Sequence, residues 1–116
     1  MGKHFNQLTP AEAERLALLL EELGEAQHVI GKILRHGSES YHPDDPSGPS
    51  NRALLEKELG DVLAAIKMMD LADDIEWESL TQRRIEKQIK VRKFLHHQPD
   101  SILDAMACPS TTARTK

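Results

Sequence analysis

The sequence has little of three things: cysteine, aromatic residues and long apolar runs. One residue in 116 is a cysteine, Cys108, which excludes an internal disulfide and a cysteine-rich zinc site. Aromatic residues make up 3% of the chain, so we expect an aliphatic and helical core. No run approaches the roughly 20 apolar residues that span a bilayer, and the first ten residues lack the apolar core of a signal peptide. We therefore expect a cytoplasmic protein with no membrane partner.

Positive charge is also in short supply, because 15 Lys and Arg residues face 19 Asp and Glu residues and the net charge is -4. An acidic protein is a poor candidate for binding a nucleic acid polymer, whose phosphate backbone is itself negative. It can still bind a single nucleotide if metal ions bridge the two negative partners. The length suffices for one domain with a modest core. We expect a helical domain over residues 1–97 and a C-terminal tail over residues 98–116.

Two similar stretches stand out in what is present. ELGE runs from Glu22 to Glu25 and ELGD runs from Glu58 to Asp61, each within a leucine-rich helical run. Positions three apart lie on one face of a helix, so each stretch aims two carboxylates the same way. Apolar residues share that face. They are Leu18, Leu19, Ala26, Val29, Ile30 and Ile33 around the first stretch, and Leu54, Leu55, Val62, Ala65, Ile66 and Met69 around the second.

Both helices thus turn a pair of carboxylates towards the side that should be buried. Burying unpaired carboxylates is very unfavourable, so protons, salt bridges or metal ions must neutralise them. Four converging carboxylates offer only oxygen donors, which suits a hard divalent cation. We therefore expect Mg²⁺, with Mn²⁺ as an alternative, to be the cofactor.

The pattern Glu21-Glu22-x-x-Glu25, followed after a loop by Glu58-x-x-Asp61, resembles the signature of a known superfamily. This is the MazG-like all-α nucleoside triphosphate pyrophosphohydrolases, which also include the dimeric dUTPases. The resemblance runs from about Leu16 to Met69 and more faintly through a third helix, with a longer connection between the two halves than is usual. It implies cleavage of a nucleoside triphosphate to the monophosphate and pyrophosphate by a homodimer or tetramer.

The helix boundaries follow from local signals. Thr9-Pro10-Ala11-Glu12 is typical of a helix start, and Gly37 is a natural stop, so we expect a first helix from Pro10 to His36. A second helix should run from Ser50 or Asn51 to Leu71, after a turn-rich loop. A third should begin at Trp77 or Ser79 and end at His97, with Leu80, Ile85, Ile89 and Phe94 inward, and a short helix is expected over residues 101–107.

The fold class expected from these helices is all-α. Helices 1 and 2 carry apolar residues around much of their circumference, and three helices on a short chain leave much of this surface uncovered. We therefore expect an antiparallel helical bundle that is completed by homo-oligomerisation.

The candidate site residues form three groups. The metal ligands are Glu22, Glu25, Glu58 and Asp61, the catalytic residues are Glu21 and Glu22, and the substrate-binding residues are Lys32, Arg35 and Lys87. Glu21 would orient or deprotonate a water, while the three basic residues would contact the triphosphate. The plainer interpretation of Lys32 and Arg35 is complementing the dipole at the end of helix 1. For Lys87 it is a solvated basic face.

Three alternatives accompany this interpretation. The carboxylates would be ordinary surface charges if the helical phase were wrong. Glu25-Ala-Gln-His28 matches a di-iron ligand motif, but that site needs the motif on two helices and the second helix offers no histidine. The third alternative is a non-catalytic dimeric helical module that binds a metal or a partner.

Overall fold

The computed structural model describes residues 5–107, within which the regular secondary structure is helical and no strand is present. Helix α1 spans Pro10–His36, α2 spans Asn51–Leu71, α3 spans Trp77–Val91 and α4 spans Asp100–Met106. A single 3₁₀ turn at Arg92–Phe94 follows α3. The all-α prediction is confirmed. No helix within the described residues is long and apolar enough to cross a membrane.

The ends of α1 and α2 are fixed by their neighbouring side chains. Thr9 Oγ1 accepts a hydrogen bond from the Glu12 amide at 3.1 Å, and Glu12 Oε1 accepts one from the Thr9 amide at 3.0 Å. Gly37 ends α1 at a φ of 90°, a backbone conformation that favours glycine. Ser50 caps α2 by accepting from the Ala53 amide at 3.2 Å. These are the boundaries that the sequence predicts.

Helices α1 and α2 form an antiparallel hairpin that is tied at both ends. At one end Arg15, near the start of α1, donates to Asp74 beyond the end of α2, with N–O distances of 2.6 and 3.0 Å. At the other end Asn51 Nδ2, in the first turn of α2, donates to the Gly37 carbonyl at 3.1 Å. Both contacts fix the register of one helix against the other.

The core of this hairpin is small and aliphatic. Its buried apolar residues are Ala26, Val29, Val62, Ala65 and Met69, all on the arcs expected from the helical phase. No large side chain is fully buried within the described residues, and apolar side chains such as Leu20 and Leu63 are 73% and 61% exposed. The single chain therefore leaves apolar surface open, as the sequence predicts.

The third helix is shorter than expected, because α3 ends at Val91 and not at His97. After the 3₁₀ turn, Leu95 is extended with a ψ of 123°, and Pro99 disfavours helical backbone in the residue before it. The inward orientation expected for Ile89 and Phe94 is wrong in the single chain, where they are 50% and 63% exposed. Helix α4 confirms the predicted short helix.

The chain divides into two compact units, residues 5–74 and residues 75–107. The first contains the α1–α2 hairpin. In the second, Arg92 lies 3.7 Å from Asp104 and links the end of α3 to α4. The boundary expected after residue 97 stays a prediction. Of the predicted C-terminal tail, residues 108–116, which include Cys108, lie outside the described residues.

Candidate metal centre

The two similar stretches lie in the middle of α1 and α2, and the antiparallel hairpin turns them towards each other. One carboxylate oxygen from each of Glu22, Glu25, Glu58 and Asp61 lies within 4.8 Å of the others. Oxygens on opposite sides of one bound divalent cation lie about 4–5 Å apart, so the spread of these atoms is close to what a single cation needs. The convergence expected from the helical phase is thus present, and the cluster can hold a metal ion.

Burial is uneven across this acidic cluster, by which we mean Glu22, Glu25, Glu58 and Asp61. Glu58 is buried at 9% exposure, while Glu25 is exposed and the other two are intermediate. Oε2 of Glu22 and Oε2 of Glu58 are buried and accept no hydrogen bond from any described residue. Buried carboxylate oxygens without a partner are costly. A cation between the helices would satisfy both oxygens, so the residues fit a metal ion.

The acidic cluster raises the pKa of Glu25 above its ordinary value. The main cause is a hydrogen bond shared with Glu58, followed by the negative charges of Glu22 and Glu58. Protonation is the other way to relieve repulsion between neighbouring carboxylates. The raised pKa therefore reflects the same excess of negative charge that a metal ion would neutralise.

One neighbour of the acidic cluster was missed by the sequence argument. Lys57 Nζ lies 3.2 Å from Glu58 Oε1 and 3.0 Å from Asp61 Oδ2. These contacts raise the pKa of Lys57 above its ordinary value, and the hydrogen bond to Asp61 has the largest effect. The spacing of four residues between Lys57 and Asp61 was the available signal, since it is typical of ion pairs along a helix. Lys57 already supplies one positive charge at the edge of the cluster.

The donor set is made of oxygen alone. No histidine or cysteine joins the four carboxylates within residues 5–107, and His28 is exposed outside the cluster. The structure thus offers nothing for the di-iron alternative. Oxygen donors in this number suit Mg²⁺ or Mn²⁺.

The remaining predicted site residues lie on α1 and α3 and are not members of the acidic cluster. Glu21 is exposed on α1, close enough that its charge helps to raise the pKa of Glu25. Lys32 and Arg35 line a cavity formed with the loop that follows α1. Lys87 is exposed on α3, in the second compact unit. The catalytic and substrate-binding roles of these four residues stay predictions.

The glycines of the two stretches are open to the surroundings. A Cβ atom built on Gly24 or Gly60 meets nothing within 4 Å among the described atoms. Tight packing of α1 against α2 therefore does not explain either glycine. The adjoining Leu23 and Leu59 are each 45% exposed, so both stretches also present apolar surface outwards.

Comparison with family models, with curated proteins and with solved structures finds no match to this chain. The resemblance to the MazG-like enzymes therefore rests on the acidic residues of the two stretches and on their places in two helices. It stays a prediction. The acidic cluster itself depends on no comparison, because it follows from the geometry of the hairpin.

Proposed function

We propose that the protein is a Mg²⁺-dependent nucleoside triphosphate pyrophosphohydrolase. The observation that carries the proposal is the meeting of four carboxylates from two helices, two of them with buried and unpartnered oxygens. An all-oxygen, strongly negative cluster favours divalent cations, and divalent cations favour phosphate chains as further ligands. The resemblance to the MazG-like signature supports the same reaction.

In this proposal Glu22, Glu25, Glu58 and Asp61 hold the cation. Mg²⁺ at such a site supplies positive charge to the triphosphate oxygens and lowers the pKa of a nearby water. The protein contributes mainly position and charge, which is what phosphoryl transfer requires.

Glu21 and Glu22 are the proposed catalytic residues. Glu21, exposed beside the acidic cluster, orients the water and accepts its proton, while Glu22 holds the site in place. The water oxygen forms a bond to the α-phosphorus as the bond to the bridging oxygen breaks. The products are a nucleoside monophosphate and pyrophosphate. The choice of the α-phosphorus is what the resemblance implies.

We further propose that a second copy of the chain completes the bundle, as a dimer or a tetramer. The support is the exposure of apolar side chains along both helices of the hairpin, with Leu34 at 83% and Leu71 at 74%. A monomer seldom exposes so many large aliphatic residues on one pair of helices. Light scattering on the purified protein measures the number of copies directly.

The experiment that tests the proposed reaction is a hydrolysis panel over the common ribonucleoside and deoxyribonucleoside triphosphates with Mg²⁺. Pyrophosphate and single phosphate are resolved as separate products. Glu58→Gln removes one carboxylate of the acidic cluster, and Glu56→Gln, an exposed position on the same helix, is the matched control. We expect pyrophosphate release by the wild type and by Glu56→Gln, and a large loss in Glu58→Gln.

Absence of turnover with every nucleotide of this panel, from folded protein that binds Mg²⁺, would refute hydrolysis of the common triphosphates, and modified nucleotides would be tested next. Absence of turnover with those as well would favour the non-catalytic helical module. Release of single phosphate would instead place the cleavage at the terminal phosphorus.

A further inference from the structure

The loop over residues 37–50 is held by hydrogen bonds to the start of α2. The Asn51 and Arg52 amides donate to the carbonyls of Ser40 and Ser38 at 2.8 and 2.7 Å. Arg52 also donates to Glu39 Oε1 at 2.6 Å. These bonds occupy the first two backbone amides of α2, and they attach the loop to this end of the hairpin.

The distal part of the loop is ordered by its own turns. The Asp45 amide donates to the His42 carbonyl at 3.0 Å, and the Gly48 amide donates to the Asp45 carbonyl at 2.9 Å. Ser47 Oγ donates to Asp45 Oδ1 at 3.0 Å. Asp45 is thereby held within the loop, and it also lines the concave surface that the loop forms with α1 and α2.

A cavity of about 330 Å³ lies between this loop and the facing ends of α1 and α2. This volume falls within the range of small-molecule sites, at its lower end. Tyr41, the one tyrosine of the chain, lines the cavity with its ring half exposed. Leu54 contributes an apolar wall, and the basic residues Lys32 and Arg35 lie on the α1 side.

The cavity adjoins the acidic cluster along the hairpin. Leu54 precedes Glu58 by four residues, and Lys32 follows Glu25 by seven. On a helix these separations are one and two turns, or about 6 and 10 Å. The cavity is therefore within reach of the other end of a ligand whose phosphates lie at the acidic cluster.

We propose that the cavity binds the base and ribose of the nucleotide, with Tyr41 stacking on the base. The inference rests on the proposed function for the identity of the ligand. Bases stack on aromatic side chains irrespective of their hydrogen-bonding pattern, and Leu54 adds apolar surface to the same cavity. The loop then determines which base is bound, while the acidic cluster holds the cation that contacts the phosphates.

The charges along the cavity agree with this orientation. Neither Lys32 nor Arg35 forms an ion pair with any side chain within residues 5–107. Lys32 lies on the side of the cavity nearer to the acidic cluster. Its ammonium group is thus placed to contact the phosphate chain where the chain leaves the ribose.

The test measures binding without turnover and without metal. Amide shifts of the ¹⁵N-labelled full chain are followed while the common ribonucleoside and deoxyribonucleoside 5′-monophosphates are added in the presence of EDTA. We expect at least one monophosphate to give saturable shifts in residues 37–50. Tyr41→Ala should weaken this binding by about 5- to 150-fold, from the range of about 1–3 kcal/mol for stacking of one base. Tyr41→Phe, which keeps the ring, should retain it.

Two further arms separate the inference from the proposed function. Glu58→Gln should still bind the monophosphate in EDTA, at least as tightly as the wild type, because the acidic cluster holds no base and the change removes a charge that repels the phosphate. Inorganic phosphate alone should leave the loop amides unshifted. Monophosphate binding by a protein that hydrolyses no triphosphate would keep the cavity assignment and refute only the reaction.

The inference is overturned by any of three results. The first is no saturable loop shift with any monophosphate, even if triphosphates are hydrolysed. The second is equal affinity in Tyr41→Ala and the wild type. The third is the same loop shifts with inorganic phosphate, which would make the cavity an anion site.

Discussion

Replacing Glu58 with glutamine should stabilise the protein without metal and remove most of its stabilisation by Mg²⁺. Glu58 is the most buried member of the acidic cluster, at 9% exposure. The change preserves the shape of the side chain and removes one negative charge. The two consequences have opposite signs, so a general effect on folding cannot produce both.

The expected magnitude follows from the geometry. The charges of Glu22 and Glu58 lie at most 4.8 Å apart. Coulomb's law at that distance gives about 0.9 kcal/mol of repulsion at the dielectric constant of water and about 3.5 kcal/mol at an effective value of roughly 20. The lost contact with Lys57, an exposed side chain, offsets a small part. A net gain of about 1 kcal/mol raises the melting temperature of a small domain by roughly 4–8 °C.

The effect of Mg²⁺ follows from binding to the folded state alone. At a concentration one hundred times the Kd, a ligand adds about 2.7 kcal/mol to the free energy of unfolding. If the loss of one carboxylate weakens binding about a hundredfold, the same concentration adds only about 0.4 kcal/mol. Wild type should therefore melt well above its metal-free value, and Glu58→Gln should shift little.

The assay is thermal unfolding followed by circular dichroism, with EDTA or with increasing Mg²⁺, and calorimetric titration of Mg²⁺ at one temperature. Glu56→Gln is the control, and it should stay within about 0.5 kcal/mol of wild type in both conditions. A metal-free Glu58→Gln protein that is less stable than wild type, together with equal Mg²⁺ shifts in both, would refute the reasoning.

Three more predictions concern neighbouring features. Lys57→Gln should lower the Kd for Mg²⁺ in calorimetry, because the ammonium group competes for Glu58 and Asp61; an unchanged Kd would contradict this. The Arg15 hydrogen bond lowers the pKa of Asp74 below its ordinary value of 3.8. The ion pair therefore adds its full stability to the folded protein above pH 3.8, and this stability is lost as the pH falls through the lowered pKa of the folded state. Asp74→Asn should therefore be less stable than wild type in urea at neutral pH, with the difference vanishing in acid; a constant difference would contradict the linkage. Gly60→Ala should raise the free energy of unfolding by about 1 kcal/mol, whereas a loss of stability with a smaller mass in light scattering would show that a second copy packs there.

Much of the hairpin was predictable because its signals are local. The capping box of Thr9 and Glu12, Gly37 and the Ser50 cap each act within a few residues, so the sequence alone places the ends of α1 and α2. The end of α3 was not predictable in the same way. Its basic sequence continues without a strong stop to Pro99, and the backbone leaves the helix earlier through a 3₁₀ turn.

The acidic cluster was predictable from helical phase, but its surroundings were not. Two i,i+3 pairs on apolar arcs face each other when their helices pack, and the register of the hairpin brings them to the same height. The Arg15–Asp74 pair joins residues 59 positions apart, and no local sequence pattern predicts it. Likewise the cavity beside Tyr41 depends on bonds between the loop and α2, such as that from the Asn51 amide to Ser40.

The antiparallel hairpin also gives the acidic cluster an approximate two-fold axis. EELGE, beginning at Glu21, faces KELGD, beginning at Lys57, so a half-turn about that axis exchanges the two helices. The symmetry is broken at its first position, where an acid on one side corresponds to a base on the other. The two ends of the cluster therefore differ in charge. We expect cations to enter at the end with Glu21, and a negatively charged ligand to lie at the end with Lys57.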